Sequence, residues 1–270
     1  MIFKYYIAAF FAFLYVSVFA QPLLAPVKVR KIPGQFVSFT VDNLDNIYLL
    51  NSSNQLKKIT ATGDSVAVYN HLKRFGEITQ IDVSNPLKIL LYYKNFATIA
   101  ILDGVLSLKG TIDLRKKNLP LVSAIGLSYD NKIWLYDELD NMLKKVDDQG
   151  NTILKTADFR QLFTTATTPQ SILDRNKYVF LYDPQSGIYT FDYYGALKNK
   201  IIITGWENLN IGASYIWGNN ARNFFRYSFA SFRYDEWPLL PEFEGCKQFF
   251  FKEQFLYALN QEGLMIYSIR

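Results

Sequence analysis

Apolar clusters return along this chain at a nearly constant interval, and that interval limits the fold more than any other feature. They read Ile47-Tyr48-Leu49-Leu50, Ile89-Leu90-Leu91-Tyr92, Ile133-Trp134-Leu135-Tyr136 and Val179-Phe180-Leu181-Tyr182, then Phe224-Phe225-Arg226-Tyr227 and Phe255-Leu256-Tyr257. Their starts lie 42, 44, 46, 45 and 31 residues apart. A period in the low forties suits a propeller blade of four short strands.

Inside each repeat, turn residues punctuate the chain. After the first cluster, Asn51-Ser52-Ser53-Asn54 makes a turn, Gln55 to Ile59 a second strand, Thr62-Gly63-Asp64 a turn and Ser65 to Tyr69 a third strand. The third repeat copies this with strands at Ile133 to Tyr136, Met142 to Val146 and Thr152 to Lys155. The clusters are apolar at consecutive positions, whereas a sheet with one wet face alternates apolar and polar. Such strands must be buried on both faces, as they are in blades packed radially around an axis. Aromatic residues form 17% of the chain, enough to fill the wedges between those blades. The expected fold is therefore all-β, a six-bladed propeller. Its last blade takes three strands from residues 248 to 269, and Val27 to Ile32 is expected to supply the fourth, so that no sheet edge stays open.

Residues 1 to 20 stand apart as a secretory signal. Lys4 gives the positive start, and Ile7 to Ala20 carry no charge, a length that fits a signal core and falls short of a membrane span. Cleavage is expected after Ala20, leaving residues 21 to 270 as a single propeller domain. Position 21 is Gln, so a lipid-attachment cysteine is lacking. Removing Lys4 lowers the formal charge from +5 to +4, too weak a balance for nucleic acid. The expected address is periplasmic or secreted, and no integral membrane segment remains after cleavage. One Cys and one His exclude an internal disulfide and a multi-histidine metal site.

The stretch Phe39-Thr40-Val41-Asp42-Asn43-Leu44-Asp45-Asn46-Ile47-Tyr48-Leu49-Leu50, followed by Asn54-Gln55-Leu56-Lys57-Lys58-Ile59, resembles the NHL-type propeller repeat. So does Tyr129-Asp130-Asn131-Lys132-Ile133-Trp134-Leu135-Tyr136-Asp137 with Asn141-Met142-Leu143-Lys144-Lys145-Val146. The likeness runs from 36 to 204 and lapses from 205 to 242, where blade boundaries cannot be read. It implies a propeller and says little about function, since propellers host enzymes, scaffolds and ligand binders.

Lactonase-like relatives in that superfamily hold a divalent cation at the axis, which makes a metal-dependent hydrolase one alternative. It predicts three or four oxygen ligands converging from different blades. Here Asp42, Asp45, Asp130, Asp137, Asp140, Asp147 and Asp148 sit in hairpin turns, where Asp is favoured for backbone reasons. A Ser, His, Asp triad would have to recruit His71, the sole imidazole, and no Gly-x-Ser-x-Gly elbow exists. No cofactor is expected. Carbohydrate recognition, a third reading, needs Tyr and Trp rings on a face.

A binding role has more support. Connections from the outermost strand of one blade to the innermost of the next share one face of a propeller. There the sequence places His71, Lys73 and Arg74, then Arg115, Lys116 and Lys117, with Lys198 and Lys200 further on. Such a basic face would attract an anionic partner. The segment from Arg222 to Trp237 interleaves arginines with aromatic rings, as interfaces do, and offers Arg222, Arg226, Tyr227, Arg233 and Trp237. The sequence thus reads as a non-catalytic protein-interaction scaffold, with a protein partner that an outer-membrane assembly or translocation complex could supply.

Overall fold

The computed structural model describes residues 26–70, 75–163 and 167–269. The expected signal peptide and its cleavage point, and His71, Lys73 and Arg74, lie outside the described residues.

Six four-stranded antiparallel sheets form six blades. Blade I runs β2 (Phe36–Val41), β3 (Ile47–Asn51), β4 (Leu56–Ile59), β5 (Ser65–Tyr69). Blade II runs β6 (Gln80–Asn85), β7 (Lys88–Tyr93), β8 (Thr98–Asp103), β9 (Leu108–Asp113). Blade III runs β10 (Val122–Leu127), β11 (Ile133–Asp137), β12 (Met142–Val146), β13 (Thr152–Lys155), and a short helix α1 (Phe159–Leu162) follows it. Blade IV runs β14 (Ser171–Arg175), β15 (Tyr178–Asp183), β16 (Gly187–Phe191), β17 (Leu197–Ile201). Blade V runs β18 (Glu207–Ile211), β19 (Tyr215–Asn219), β20 (Asn223–Ser228), β21 (Tyr234–Pro238). Blade VI takes β22 (Gln248–Lys252), β23 (Phe255–Asn260) and β24 (Gly263–Ser268) from the end of the chain, and β1 (Val27–Pro33) completes it on the outside.

The closure is the one expected from sequence. β1 pairs with β24 from Val27 opposite Ser268 to Pro33 opposite Gly263. Gly263 has φ +133°, and a Cβ there would stand 2.2 Å from the Ile32 carbonyl oxygen, so the seam tolerates no side chain at that point.

Alternation along the second strands explains the unbroken apolar clusters. In β11, Ile133 and Leu135 join the core between blades II and III, while Trp134 and Tyr136 join the core between III and IV. In β3, Tyr48 and Leu50 face blade II, and Ile47 and Leu49 face blade VI. Each strand therefore feeds two wedges, with period two and no polar side. All four tryptophans are buried in these wedges. The aromatic share of the composition is thus largely architectural.

Blade V departs from the expected register. Its second strand is β19, starting at Tyr215, and the cluster at Phe224 belongs to the third strand, β20. Gly218 stands in β19 where other blades carry a bulky residue, and the ring of Trp206 occupies the space a Cβ would need, 2.7 Å away. The apolar count of that strand falls accordingly, which is why the neighbouring strand stood out in the sequence.

Polar side chains tie the inner strands together around the axis. Gln248 accepts from Phe39 N at 3.0 Å and donates to Phe39 O at 2.9 Å, so blade VI grips blade I. Asn210 treats Phe251 of blade VI in the same way, donating at 2.6 Å and accepting at 3.2 Å. Gln80 accepts from Ile125 N and donates to Gln170 O, spanning blades II to IV. Innermost strands leave backbone groups without a sheet partner, and these side chains satisfy them. β10 is buried along its whole length, and a Cβ on Gly126 would meet the Ile172 carbonyl oxygen of β14 at 2.6 Å.

Candidate functional site

Two cavities open along the axis and on one face of the disc. The axial one, about 340 Å³, runs beside the inner strands from Ser38 to Gln248. Its carboxylates are committed to the fold. Asp82 accepts from Leu127 N at 2.7 Å, and Asp174 accepts from Ser128 Oγ, Tyr129 N, Trp134 Nε1 and Tyr193 Oη. Burial, and then the Asp174 carboxylate, push the Tyr193 phenol well above its ordinary value. Asp42 closes its own turn, taking hydrogen bonds from Leu44 N, Asn46 N, Asn46 Nδ2 and Tyr48 Oη. Among the described residues no three His, Cys, Asp or Glu side chains group in a way that could hold a metal.

The second cavity, about 460 Å³, is a groove between blades V and VI on the face that carries the turns joining first to second strands. We call this the hairpin face. The groove shares Val41, Asp42, Asn43, Arg175, Asn210 and Phe250 with the axial cavity, so the two are continuous. Its volume falls within the range of small-molecule and peptide sites.

Arg226 dominates its wall. The guanidinium lies 4.8 Å from the Tyr215 ring centroid, 5.3 Å from Trp217 and 5.0 Å from Trp237, within cation–π range of all three. Its Nε and Nη2 both donate to Asp235 Oδ2, at 3.1 and 2.7 Å, while Arg233 Nε takes Asp235 Oδ1 at 2.9 Å. Trp217 stacks on Phe251 of blade VI at 4.4 Å. The strand pairing accounts for this cluster, because Trp217, Arg226 and Asp235 are cross-strand neighbours on one side of blade V.

Arg175 reaches the groove from blade IV. It ends β14 exposed, lines both cavities, and has no ion pair among the described residues. Lys252 also lines the groove but is tied to Asp45 and the Asp42 carbonyl. Glu253 stands exposed at the lip.

A ring of apolar residues surrounds the opening. Each of the six first hairpins exposes one of them, either in its turn or at the start of its second strand. They are Leu44, Leu87, Tyr129, Tyr178, Tyr215 and Phe255, from 36% to 75% exposed.

The residues singled out in the sequence separate accordingly. Arg226, Arg233 and Trp237 are brought together through Asp235 and the shared wedge. Tyr227 faces the opposite side of β20 and packs toward blade IV, so it is not part of the groove. Arg222 is exposed in the turn before β20, on the opposite face of the disc. Arg115, Lys116 and Lys117 form a 3-10 turn between β9 and β10, in a blade connection as expected. Each already has a partner: Arg115 bonds Asn95 O, Lys116 lies 3.7 Å from Asp113, and Lys117 donates to Asn151. Lys198 and Lys200 sit within β17 and not in a connection, with Lys198 paired to Asp192 and Lys200 over the Tyr189 ring. Of the expected basic face, Arg115, Lys116 and Lys117 stand on a blade connection and Lys198 and Lys200 do not, while His71, Lys73 and Arg74 lie outside the described residues. Arg175, Tyr215, Trp217 and Asp235 were missed.

Among the described residues no helix is long and apolar enough to cross a membrane. Solved structures similar to this chain are propellers. A streptogramin B lyase structure has a TM-score of 0.60 at 18% identity, over 86% of this chain and 78% of the other. The β-propeller domain of Cps50 (Swd1) from Myceliophteria thermophila scores 0.63 at 9% identity, over 91% and 100%. A protein of Bacteroides fragilis described as exported scores 0.61 at 8% identity, over 92% and 94%. At these identities the likeness concerns the fold. Neither a protein-family model nor a curated protein matches the chain.

Proposed function

We propose that this chain is a secreted or periplasmic, non-catalytic β-propeller that docks a protein partner on its hairpin face. The observation that carries this reading is the ring of six exposed apolar residues around a groove walled by Arg226 and aromatic rings. Apolar side chains flanking buried Trp, Tyr and Arg are the usual makeup of an interface centre. The disc itself supplies rigidity, since its inner strands are stitched across blades. The repeat grammar supports a place beside NHL-type propellers. The signal-like residues 1 to 20 support export, and an envelope address makes an outer-membrane assembly or translocation complex the partner to test first.

Leu87→Asp combined with Leu44→Asp changes two ring positions that contribute little to the core. The pair should leave the melting temperature unchanged and abolish retention of partner from an envelope extract. Retention unaffected by the pair would reject the hairpin face as the docking surface. An extract yielding no envelope protein with the unaltered chain would remove the outer-membrane version.

A further inference from the structure

One position recurs in the blades, and its fate in blade V points to a ligand. A second-strand aromatic stands opposite a third-strand cation at Tyr48 and Lys58, at Trp134 and Lys145, and at Trp217 and Arg226. In the first two pairs the cation is spent inside the fold. Lys58 Nζ lies 5.3 Å over Tyr48 and donates to Gly104 O of the next blade. Lys145 Nζ lies 4.5 Å over Trp134 and bonds Asp130 at 3.0 Å. Tyr129, from the turn of the same blade, and Tyr193, from the next, cover it, stacked at 3.9 Å.

In blade V the turn brings no ring over the cation, which Tyr215 and Trp237 flank instead. The equivalent turn is Gly212-Ala213-Ser214, whose small side chains line the groove and leave the Arg226 side chain 30% exposed. Nη1 of Arg226 has no hydrogen-bond partner among the described residues, and neither does the guanidinium of Arg175, which lines the same groove. Phe250 and the Trp217–Phe251 stack line the same groove and provide its apolar surface.

We infer that the groove binds a carboxylate-bearing peptide segment, with the carboxylate held between Arg226 and Arg175 and an adjacent aromatic or aliphatic side chain against Phe250 and Trp217. Guanidinium forks match carboxylates in geometry, and a fork already braced by Asp235 and three rings keeps its orientation when empty. This deepens the docking reading and rests on it: the ring supplies area, the groove supplies specificity.

The test uses the whole chain and small probes. N-acetyl-phenylalanine should bind in the millimolar range and N-acetyl-phenylalaninamide at least about fivefold more weakly, because charge-assisted hydrogen bonds are lost. Arg175→Gln, at an exposed strand end, and Arg226→Met should each reduce the acid to the level of the amide. Inorganic phosphate should displace the acid poorly. Equal binding of acid and amide, displacement by phosphate as effective as by the acid itself, or no binding of the acid at about 50 mM would each overturn the inference. If the probe fails while Leu87→Asp with Leu44→Asp still abolishes partner retention, docking stands and only the carboxylate site falls.

Discussion

Trp134 of blade III and Trp217 of blade V each face a cation on the adjoining strand, yet one pair is sealed and the other open. Lys145 keeps 5% of its side chain exposed and Arg226 30%. Their own tryptophans do not account for the gap, since both are buried. The turn before the second strand does, because Tyr129 roofs Lys145 where blade V offers Gly212, Ala213 and Ser214. A repeat position becomes a site when the neighbour that would cover it is made small. Regular blades spend their charges on packing, and the irregular blade exposes one.

The comparison can be strained first through the tryptophans. Trp134→Ala should cost about 3–5 kcal/mol in urea unfolding, since it empties a fully enclosed wedge, and Trp217→Ala should cost less because its pocket already opens on the groove. Equal losses would mean that both wedges are equally closed. The glycines give the next contrast. Gly126→Ala drives a methyl into the Ile172 carbonyl and should cost about 1–3 kcal/mol. Gly212→Ala meets only the Tyr215 carbonyl at 3.5 Å and should stay within about 0.5 kcal/mol.

Ala213→Tyr should rebuild the roof of blade III over Arg226. It should change stability by no more than about 0.5 kcal/mol, as a surface substitution, and abolish N-acetyl-phenylalanine binding in calorimetry. Acid gives the smallest contrast. Hydrogen bonds from Lys109, Lys144 and Lys198 hold Asp103, Asp140 and Asp192 below the usual carboxylate range, and the Asn151 amide does the same for Asp147. The unfolded chain binds more protons at these groups. Their contribution is therefore full above about pH 4–5 and lost as pH falls through the lowered values. All four lie in blades II to IV, so amide exchange below about pH 4 should accelerate there before it does in blade V.

The sequence carried the architecture because the propeller imposes a rule on every repeat. Consecutive apolar residues such as Ile133 to Tyr136 feed two wedges, and a strand at Val27 to Ile32 was needed to close the last blade. The site was only partly legible. Arg226 and Trp237 stood out as arginine among aromatics, but Trp217 and Tyr215 did not, since the cluster at Phe224 drew the second strand of blade V to the wrong place. With Trp217 set against Trp134, the Lys145 position maps onto Arg226 and the small turn onto Tyr129. Arg175 left no local signal. Its role depends on which end of an inner strand meets a groove between the next two blades, and only the closed ring decides that. Lys198 and Lys200 misled for a related reason, because charge alone does not separate a strand end from a connection.

The most direct measurement is the melting temperature of Lys145→Met and Arg226→Met, each with and without N-acetyl-phenylalanine. Lys145→Met uncovers a partly buried Asp130 and should cost about 2 kcal/mol, or about 4–8 °C, while keeping the probe-induced rise of the unaltered chain. Arg226→Met leaves the buried Asp235 to Arg233 alone, so it should cost a comparable amount, about 2 kcal/mol or about 4–8 °C, and show no rise with the probe. A probe-induced rise that survives in Arg226→Met would contradict the account and return Arg226 to the packing role of its counterpart.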